Sequence, residues 1–143
     1  MDYKSKIILI AGPTASGKSK IAINLAKKIN GEIVNADSMQ VYKQLKILTA
    51  RPSKEDQKNI KHHLFGFVDV QKRFSTGQWL NKCIKIINLI KKRKKIPIIV
   101  GGTGLYFKAL VDGLVSIPKF EPSEKNKILK LHKKLGQKQF YKK

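Results

Sequence analysis

Acidic residues are scarce in this chain: 9 Asp and Glu stand against 31 Lys and Arg in 143 residues, a formal net charge of +22. A field of that sign favours polyanions, nucleic acid first among them. It also leaves few carboxylates to act as base or metal ligand. Arginine is scarce too, limited to Arg51, Arg73 and Arg93, so lysine carries nearly all the excess. Together with abundant isoleucine, that is what an A/T-rich coding bias produces, and part of the charge reads that way. Cysteine is limited to Cys83, which excludes an intrachain disulfide and fits a reducing compartment. Its spacing from Trp79 and Ile87 puts it on an apolar helix face, as a core thiol. No apolar run approaches the length of a membrane span, and the one near the N-terminus is too short for a signal peptide. A cytoplasmic protein is expected. With 41% hydrophobic residues, the chain can pack one domain.

Against these absences one motif stands whole. Gly12, Pro13, Thr14, Ala15, Ser16, Gly17, Lys18 and Ser19 match the Walker A pattern and directly follow the apolar run Ile7–Ile10. The glycines let the backbone curl with its N–H groups inward, and a helix starting near Lys18 adds the positive end of its dipole. Lys18 contributes a mobile ammonium, and Ser19 a hydroxyl of the kind that ligates Mg²⁺. The loop is read as the binding site of a diphosphate or triphosphate, ATP among the candidates.

Three strand-like runs, Ile7–Ile10, Glu32–Asn35 and Ile96–Val100, alternate with helical patterns, which argues for an α/β parallel sheet flanked by helices. The first and third runs are continuously apolar, as in strands buried on both faces. Lys18–Ile29 carries Ile21, Leu25 and Ile29 on one stripe, with Ala22 and Ala26 beside it, and Asn30-Gly31 closes the helix. Ser53–Asp56 resembles a capping box opening a short polar helix. Ser75–Gln78 resembles another, opening a helix to about Lys92 with Trp79, Cys83, Ile87 and Ile90 inward. The run Lys91–Lys95 reads as a solvated helix end. A P-loop sheet has about five strands, so the sheet looks incomplete, and apolar surface around Ile96–Val100 is expected to stay partly exposed. Residues 1–118 are read as the phosphate-binding core. Residues 119–143 form a linker, bracketed by Pro118 and Pro122, and a basic amphipathic helix that Ser123 would cap, with Ile128, Leu131 and Leu135 on its apolar face.

An open α/β sheet places its chemistry at the carboxyl ends of its strands. Here those ends are the Walker loop, Ala36-Asp37-Ser38-Met39-Gln40, and Gly101-Gly102-Thr103-Gly104-Leu105-Tyr106. Asp37 is the candidate base or metal ligand, with capping of a helix by Asp37 or Ser38 as the plainer alternative. Thr103 is a candidate ligand hydroxyl or a turn residue. The third strand runs into glycines where many ATPases and GTPases carry a Mg²⁺-binding aspartate, which favours small-molecule transfer over a motor or switch. His62-His63 lacks the partners a metal site needs.

Several motifs in this order resemble the tRNA dimethylallyltransferase family. They are Gly12–Ser19, Ala36–Lys43, Thr49-Ala50-Arg51-Pro52, His62-His63-Leu64, Phe74-Ser75 with Trp79, and Pro97–Tyr106. The resemblance runs from about Lys6 to Pro118. It implies transfer of a dimethylallyl group from dimethylallyl diphosphate to N6 of the adenine beside the tRNA anticodon. By resemblance, Asp37 takes the proton of the attacking amine, while Lys18, Ser19, Thr103 and Mg²⁺ steady the departing diphosphate. Asp37, Ser38, Met39, Gln40 and Thr103 would hold the flipped base, and surplus lysines the backbone of the tRNA anticodon stem-loop. Members of the family act as monomers and are roughly twice as long, with a helical insertion and a later arginine-bearing block. The chain is thus expected to be an N-terminal piece that stops inside that insertion, with specific tRNA modification lost. Gln44 and Leu48 stand where the family has glycines. A P-loop kinase for a small molecule or nucleotide, a transferase acting on free adenine nucleotides, and a non-catalytic RNA-binding remnant are the alternatives.

Overall fold

The computed structural model describes residues 6–53, 55, 57, 59–115 and 121–141. Their elements run β1 (Ile8–Ala11), α1 (Lys18–Ile29), β2 (Gly31–Asn35), β3 (His62–His63), α2 (Thr76–Lys92), β4 (Ile96–Gly101), α3 (Gly104–Asp112) and α4 (Pro122–Phe140). The four strands form one parallel sheet in the order β1-β4-β2-β3. Ile33 pairs with Ile98 and Val34 with Ile99, so the two central strands present matched rows to each face.

Those rows define two half-cores. On one face Ile33, Ile98 and Val100 pack with Ala22 and Ala26 of α1. On the other, Val34, Ala36 and Ile99 pack with Trp79, Cys83, Ile87 and Ile90 of α2 and Tyr106 of α3. The small residues of α1 are the ones that meet the sheet: Ala22 and Ala26 are buried, with Ile23, Leu25 and Ile29 beside them, whereas Ile21 is turned to solvent. Two alanines allow close approach, and that contact rather than the larger isoleucine row sets the helix orientation. Asn30 ends α1 in the left-handed conformation, with φ 54°, and Gly31 is already the first residue of β2.

Helix α2 is built as its pattern indicates. The Ser75 hydroxyl accepts from the Gln78 N–H at 3.2 Å, and the Gln78 side chain accepts from the Ser75 N–H at 2.9 Å. Trp79 stacks on Tyr106 with ring centroids 4.2 Å apart and donates its indole N–H to the Asn35 carbonyl at 2.8 Å. Burial pushes the Cys83 thiol up to about 12, as befits an inert core cysteine.

Three expectations are corrected. Strand β4 itself is buried along its whole length, and the apolar exposure expected there and at its neighbours falls on the adjacent β1, where Leu9 and the preceding Ile7 reach solvent. β1 ends the sheet order, hydrogen-bonded to β4 alone among the described residues. At Ser53 the Gln57 N–H donates to the Ser53 carbonyl at 3.3 Å; the capping box and short helix expected there fall partly on Lys54 and Asp56, which lie outside the described residues. Helix α4 begins at Pro122, with Glu121 rather than Ser123 at its cap and a kink at Gly136. Its Ile128, Leu129 and Leu131 are exposed, and Pro118 lies outside the described residues. Finally, the charge run after α2 is not simply solvated. Arg93 grips the fully buried Glu32 carboxylate, with Nη2 at 2.7 Å from Oε2 and Nε at 3.2 Å from Oε1.

Candidate active site

Strands β1, β2 and β4 all point their carboxyl ends at one place. The Walker loop leaves β1 and turns back through two left-handed residues, Ala15 at φ 64° and Gly17 at φ 78°. Glycine adopts this freely, whereas alanine does so at ~1–2 kcal/mol, strain of the kind found at ligand-binding loops. The Ser16 hydroxyl and the Lys18 ammonium both donate to the Pro13 carbonyl, at 2.8 and 2.7 Å. The loop thus holds its own lysine bent over the concavity, with further N–H bonds free for an anion. Ser19 stands beside it in the first turn of α1.

The end of β2 is held by a residue that sequence reasoning missed. Asn35 is fully buried. Its side chain accepts from the Asp37 N–H at 2.9 Å and donates to the carbonyls of Asp37 at 2.9 Å and Leu64 at 3.1 Å. This clamp fixes the Asp37 backbone from both sides. An asparagine at the carboxyl end of the strand-like run Glu32–Asn35 was the available signal, since a buried amide must be satisfied. The Asp37 carboxylate caps its own turn, accepting from the Met39 N–H at 2.9 Å, so the capping alternative holds for this turn rather than for a helix. Tyr106 lies behind it; burial first, then the nearby Tyr42 and Asp37 charges, push its hydroxyl up to about 12 and keep it protonated.

The third end is joined to the second. The Thr103 hydroxyl accepts from the Ser38 N–H at 2.9 Å and reaches the Ser38 hydroxyl at 3.3 Å, while the Thr103 N–H donates to the Ala36 carbonyl at 3.1 Å. A side chain on Gly101 would overlap the Ala36 backbone. This close approach requires glycine there, which explains physically why no aspartate ends β4. Thr103 precedes α3, a helix where the run of glycines predicts a loop.

Together these loops enclose a cleft of about 680 Å³. Pro13, Thr14, Ala15, Lys18, Ser19, Asp37, Ser38, Met39, Gln40 and Thr103 all line it. Gly12, Ser16 and Gly17 shape the loop without lining that cleft; the Gly12 N–H is bonded to the Gly101 carbonyl at 3.3 Å. Asp37 is the one acidic side chain in the lining among the described residues. The opposite wall is apolar, formed by Leu45 and Leu48. Gln40 turns its amide to the Thr49 carbonyl at 2.8 Å, tying that wall to the strand end. Arg51, from the Thr49–Pro52 block, holds the same loop from outside by donating to the carbonyls of Tyr42 and Lys43. His62 Nδ1 lies 2.8 Å from the Ile60 carbonyl and His63 Nε2 lies 2.7 Å from Glu32 Oε2, and no cluster of three potential His, Cys, Asp or Glu ligands occurs among the described residues.

A phosphate-cradling loop at the switch of a parallel sheet, with a carboxylate and a hydroxyl facing it, places the chain in the P-loop class of α/β proteins. Within that class, residues 40–143 match the family model described as IPP transferase, and the chain belongs to that family. It is 67% identical over 143 residues to the tRNA dimethylallyltransferase of Pelagibacter ubique, covering all of this chain and 46% of that protein. The tRNA dimethylallyltransferase of Hyphomonas neptunium is 53% identical over 111 residues, 78% of this chain and 35% of that protein. Among solved structures, the full-length tRNA isopentenylpyrophosphate transferase from Bacillus halodurans superposes with a TM-score of 0.76 at 33% identity, covering 92% of this chain and 44% of that one. A eukaryotic dimethylallyltransferase acting on tRNA gives 0.78 at 35% identity, covering 90% and 34%. The chain therefore spans less than half the length of these relatives. Among the described residues no helix is long and apolar enough to cross a membrane.

Proposed function

We propose that these residues form the diphosphate-holding, proton-accepting half of a cytoplasmic tRNA dimethylallyltransferase. The observation that carries this reading is the juxtaposition, around one cleft, of the Walker loop, a single carboxylate and an apolar wall. In the reaction, the exocyclic N6 of the adenine attacks C1 of dimethylallyl diphosphate. The C–O bond to the diphosphate breaks, and the Asp37 carboxylate takes the proton that the amine loses. Asp37 suits this role because Asn35 and Met39 hold it in place. Lys18 and the loop N–H groups meet the negative charge that grows on the leaving diphosphate. Leu45 and Leu48 offer the hydrocarbon group a surface free of competing nucleophiles. Ser38, Met39, Gln40 and Thr103 line the side from which the base would enter, the anticodon stem-loop of a tRNA being its source.

The donor set fits Mg²⁺: Ser19 supplies a hard hydroxyl oxygen and diphosphate oxygens would supply others, as is usual for this ion. Ser19 would hold it, and its charge would further neutralise the leaving group. Residues 1–118 serve as the phosphate core, and α4 belongs to the helical tRNA-binding part; the family's working unit is a monomer.

Calorimetry with dimethylallyl diphosphate and Mg²⁺ tests the cleft. The expected result is saturable binding that weakens by about 2 kcal/mol in Lys18→Ala, the value of one charge-assisted contact. Equal affinity in both proteins would overturn the assignment. Transfer itself is read by joining this chain to the remaining length of the Pelagibacter ubique relative and looking for prenylated adenosine by mass spectrometry.

A further inference from the structure

A second concavity, about 570 Å³, lies on the far side of the loop that walls the cleft. Its floor is aromatic: Phe67 and Phe74 meet edge to face at 5.2 Å. Its rim is cationic, with Lys43, Lys72, Arg73, Lys82 and Lys85 around it. Lys82 stands over the Phe67 ring, its ammonium 5.4 Å from the centroid. The only acid in the lining among the described residues, Asp69, is already occupied by the Gln44 amide and the Gln71 N–H, each at 2.9 Å.

Three observations distinguish this groove from the general lysine excess. First, Lys82 and Lys85 share the exposed face of α2 with Gln78 and Asn81, opposite the buried row of Trp79, Cys83 and Ile87. That face therefore combines charge with neutral amides, both suited to phosphate oxygens. Second, the three arginines are engaged differently. Arg93 binds Glu32 and Arg51 binds backbone carbonyls, whereas Arg73 makes no hydrogen bond or ion pair among the described residues. Third, the groove and the cleft share one loop. Lys43 and Gln44 face outward, with Gln44 anchored to Asp69 and Val70, while Leu45, Leu48 and Thr49 face the cleft.

We infer that this groove is an RNA-backbone interface. Phosphates of the strand whose base enters the cleft would cross the loop at Lys43 and lie against Arg73, Lys82 and Lys85. The inference rests on the proposed function and specifies where the RNA runs. An open groove of this volume with several spaced cations suits consecutive phosphates better than one small anion, and its neutral amides suit sugar and phosphate oxygens alike.

The test uses the 143-residue chain and a labelled anticodon stem-loop RNA, with binding followed by fluorescence anisotropy across a salt series. In the variant Lys72→Gln/Arg73→Gln/Lys82→Gln, affinity at 0.15 M salt should fall about tenfold or more. The log–log salt slope should flatten by about 2, given ~0.7–0.9 per phosphate contact. The control Lys27→Gln/Lys28→Gln/Lys61→Gln removes equal charge elsewhere and should change the slope by less than about 1. Arg73→Gln alone, with one exposed side chain altered, gives the same readout if the triple variant melts early. Equal losses in groove and control variants overturn the inference, as does equal competition by polyglutamate of matched charge. Dimethylallyl diphosphate binding, measured in the same variants, should be unchanged. Normal diphosphate binding with no groove effect would therefore sink this inference alone, whereas loss of diphosphate binding in the wild-type chain would sink the function it rests on.

Discussion

Replacing Glu32 by glutamine removes the most deeply buried charge among the described residues while preserving its volume. The Glu32 side chain is fully buried on β2, where His63 Nε2 and Arg93 Nη2 each lie 2.7 Å from Oε2 and Lys95 lies 3.6 Å from Oε1. Burial alone would raise its pKa, but the hydrogen bonds and charges of Arg93 and His63 outweigh it and bring the carboxyl from 4.5 to about 2. Each pH unit is worth ~1.4 kcal/mol, so the ionised carboxylate contributes about 3 kcal/mol to folding. Because the folded value is the lower one, that contribution is complete above about pH 4.5 and disappears as pH falls towards 2. Breaking one member of a buried ion pair has a similar magnitude, ~3–5 kcal/mol, against a typical ~5–15 kcal/mol for a whole domain. Trp79 is the sole tryptophan, fully buried against Tyr106, so its fluorescence reports unfolding in urea directly. The expected outcome is a loss of about 3 kcal/mol at pH 7 that shrinks toward zero near pH 2. A difference under about 1 kcal/mol at pH 7, or one that does not change with pH, would refute the reasoning. Should the glutamine variant fail to fold at pH 7, Arg93→Met, which leaves His63 and Lys95 in place, reads the same pH dependence.

In the joined enzyme, Asp37→Asn should cut single-turnover transfer by roughly 10²–10⁴-fold. Diphosphate affinity should be nearly unchanged there, since an amide oxygen can still accept from Met39; a near-normal rate would remove Asp37 as base. Gly101→Ala should destabilise the chain by about 1–3 kcal/mol or more through overlap with the Ala36 backbone, and a wild-type urea midpoint would contradict the packing described. Cys83, its thiol held at about 12 by burial, should resist a thiol reagent at pH 8 until urea exposes it; fast labelling of native protein would contradict that.

Local patterns carried most of what was readable in advance. The Walker loop, the inward row of α2 and the capping box at Ser75 each depend on residues within one turn or two of one another. The misreadings have a different origin. Helix α3 was hidden because Gly101, Gly102 and Gly104 read as loop, although Gly101 is required by a contact with Ala36, which lies on another strand. Periodicity weighs hydrophobicity and so puts Ile21 on the apolar stripe of α1, whereas the sheet selects the small alanines next to it. The pairing of Glu32 with Arg93 joins residues 61 positions apart, and no spacing rule spans that distance. In the site, Asp37 and Thr103 were legible as strand-end residues, but the Asn35 clamp and the bond from Ser38 to Thr103 depend on tertiary contact.

The position of β1 has a dynamic meaning. The strand that launches the phosphate loop is also the one at the end of the sheet, paired on a single side among the described residues and with Leu9 partly in water. Such a strand opens at lower free energy than β2 or β4, which are enclosed on both sides. Every excursion of β1 unshapes the Walker loop, so an anion bound there holds the strand shut. Ligand occupancy and slow amide exchange in β1 are then two readings of one equilibrium. An exposed apolar strand edge is also the natural template for unwanted intermolecular pairing. A diphosphate held in the cleft, as proposed above, would thereby act, from some distance, as a guard against aggregation.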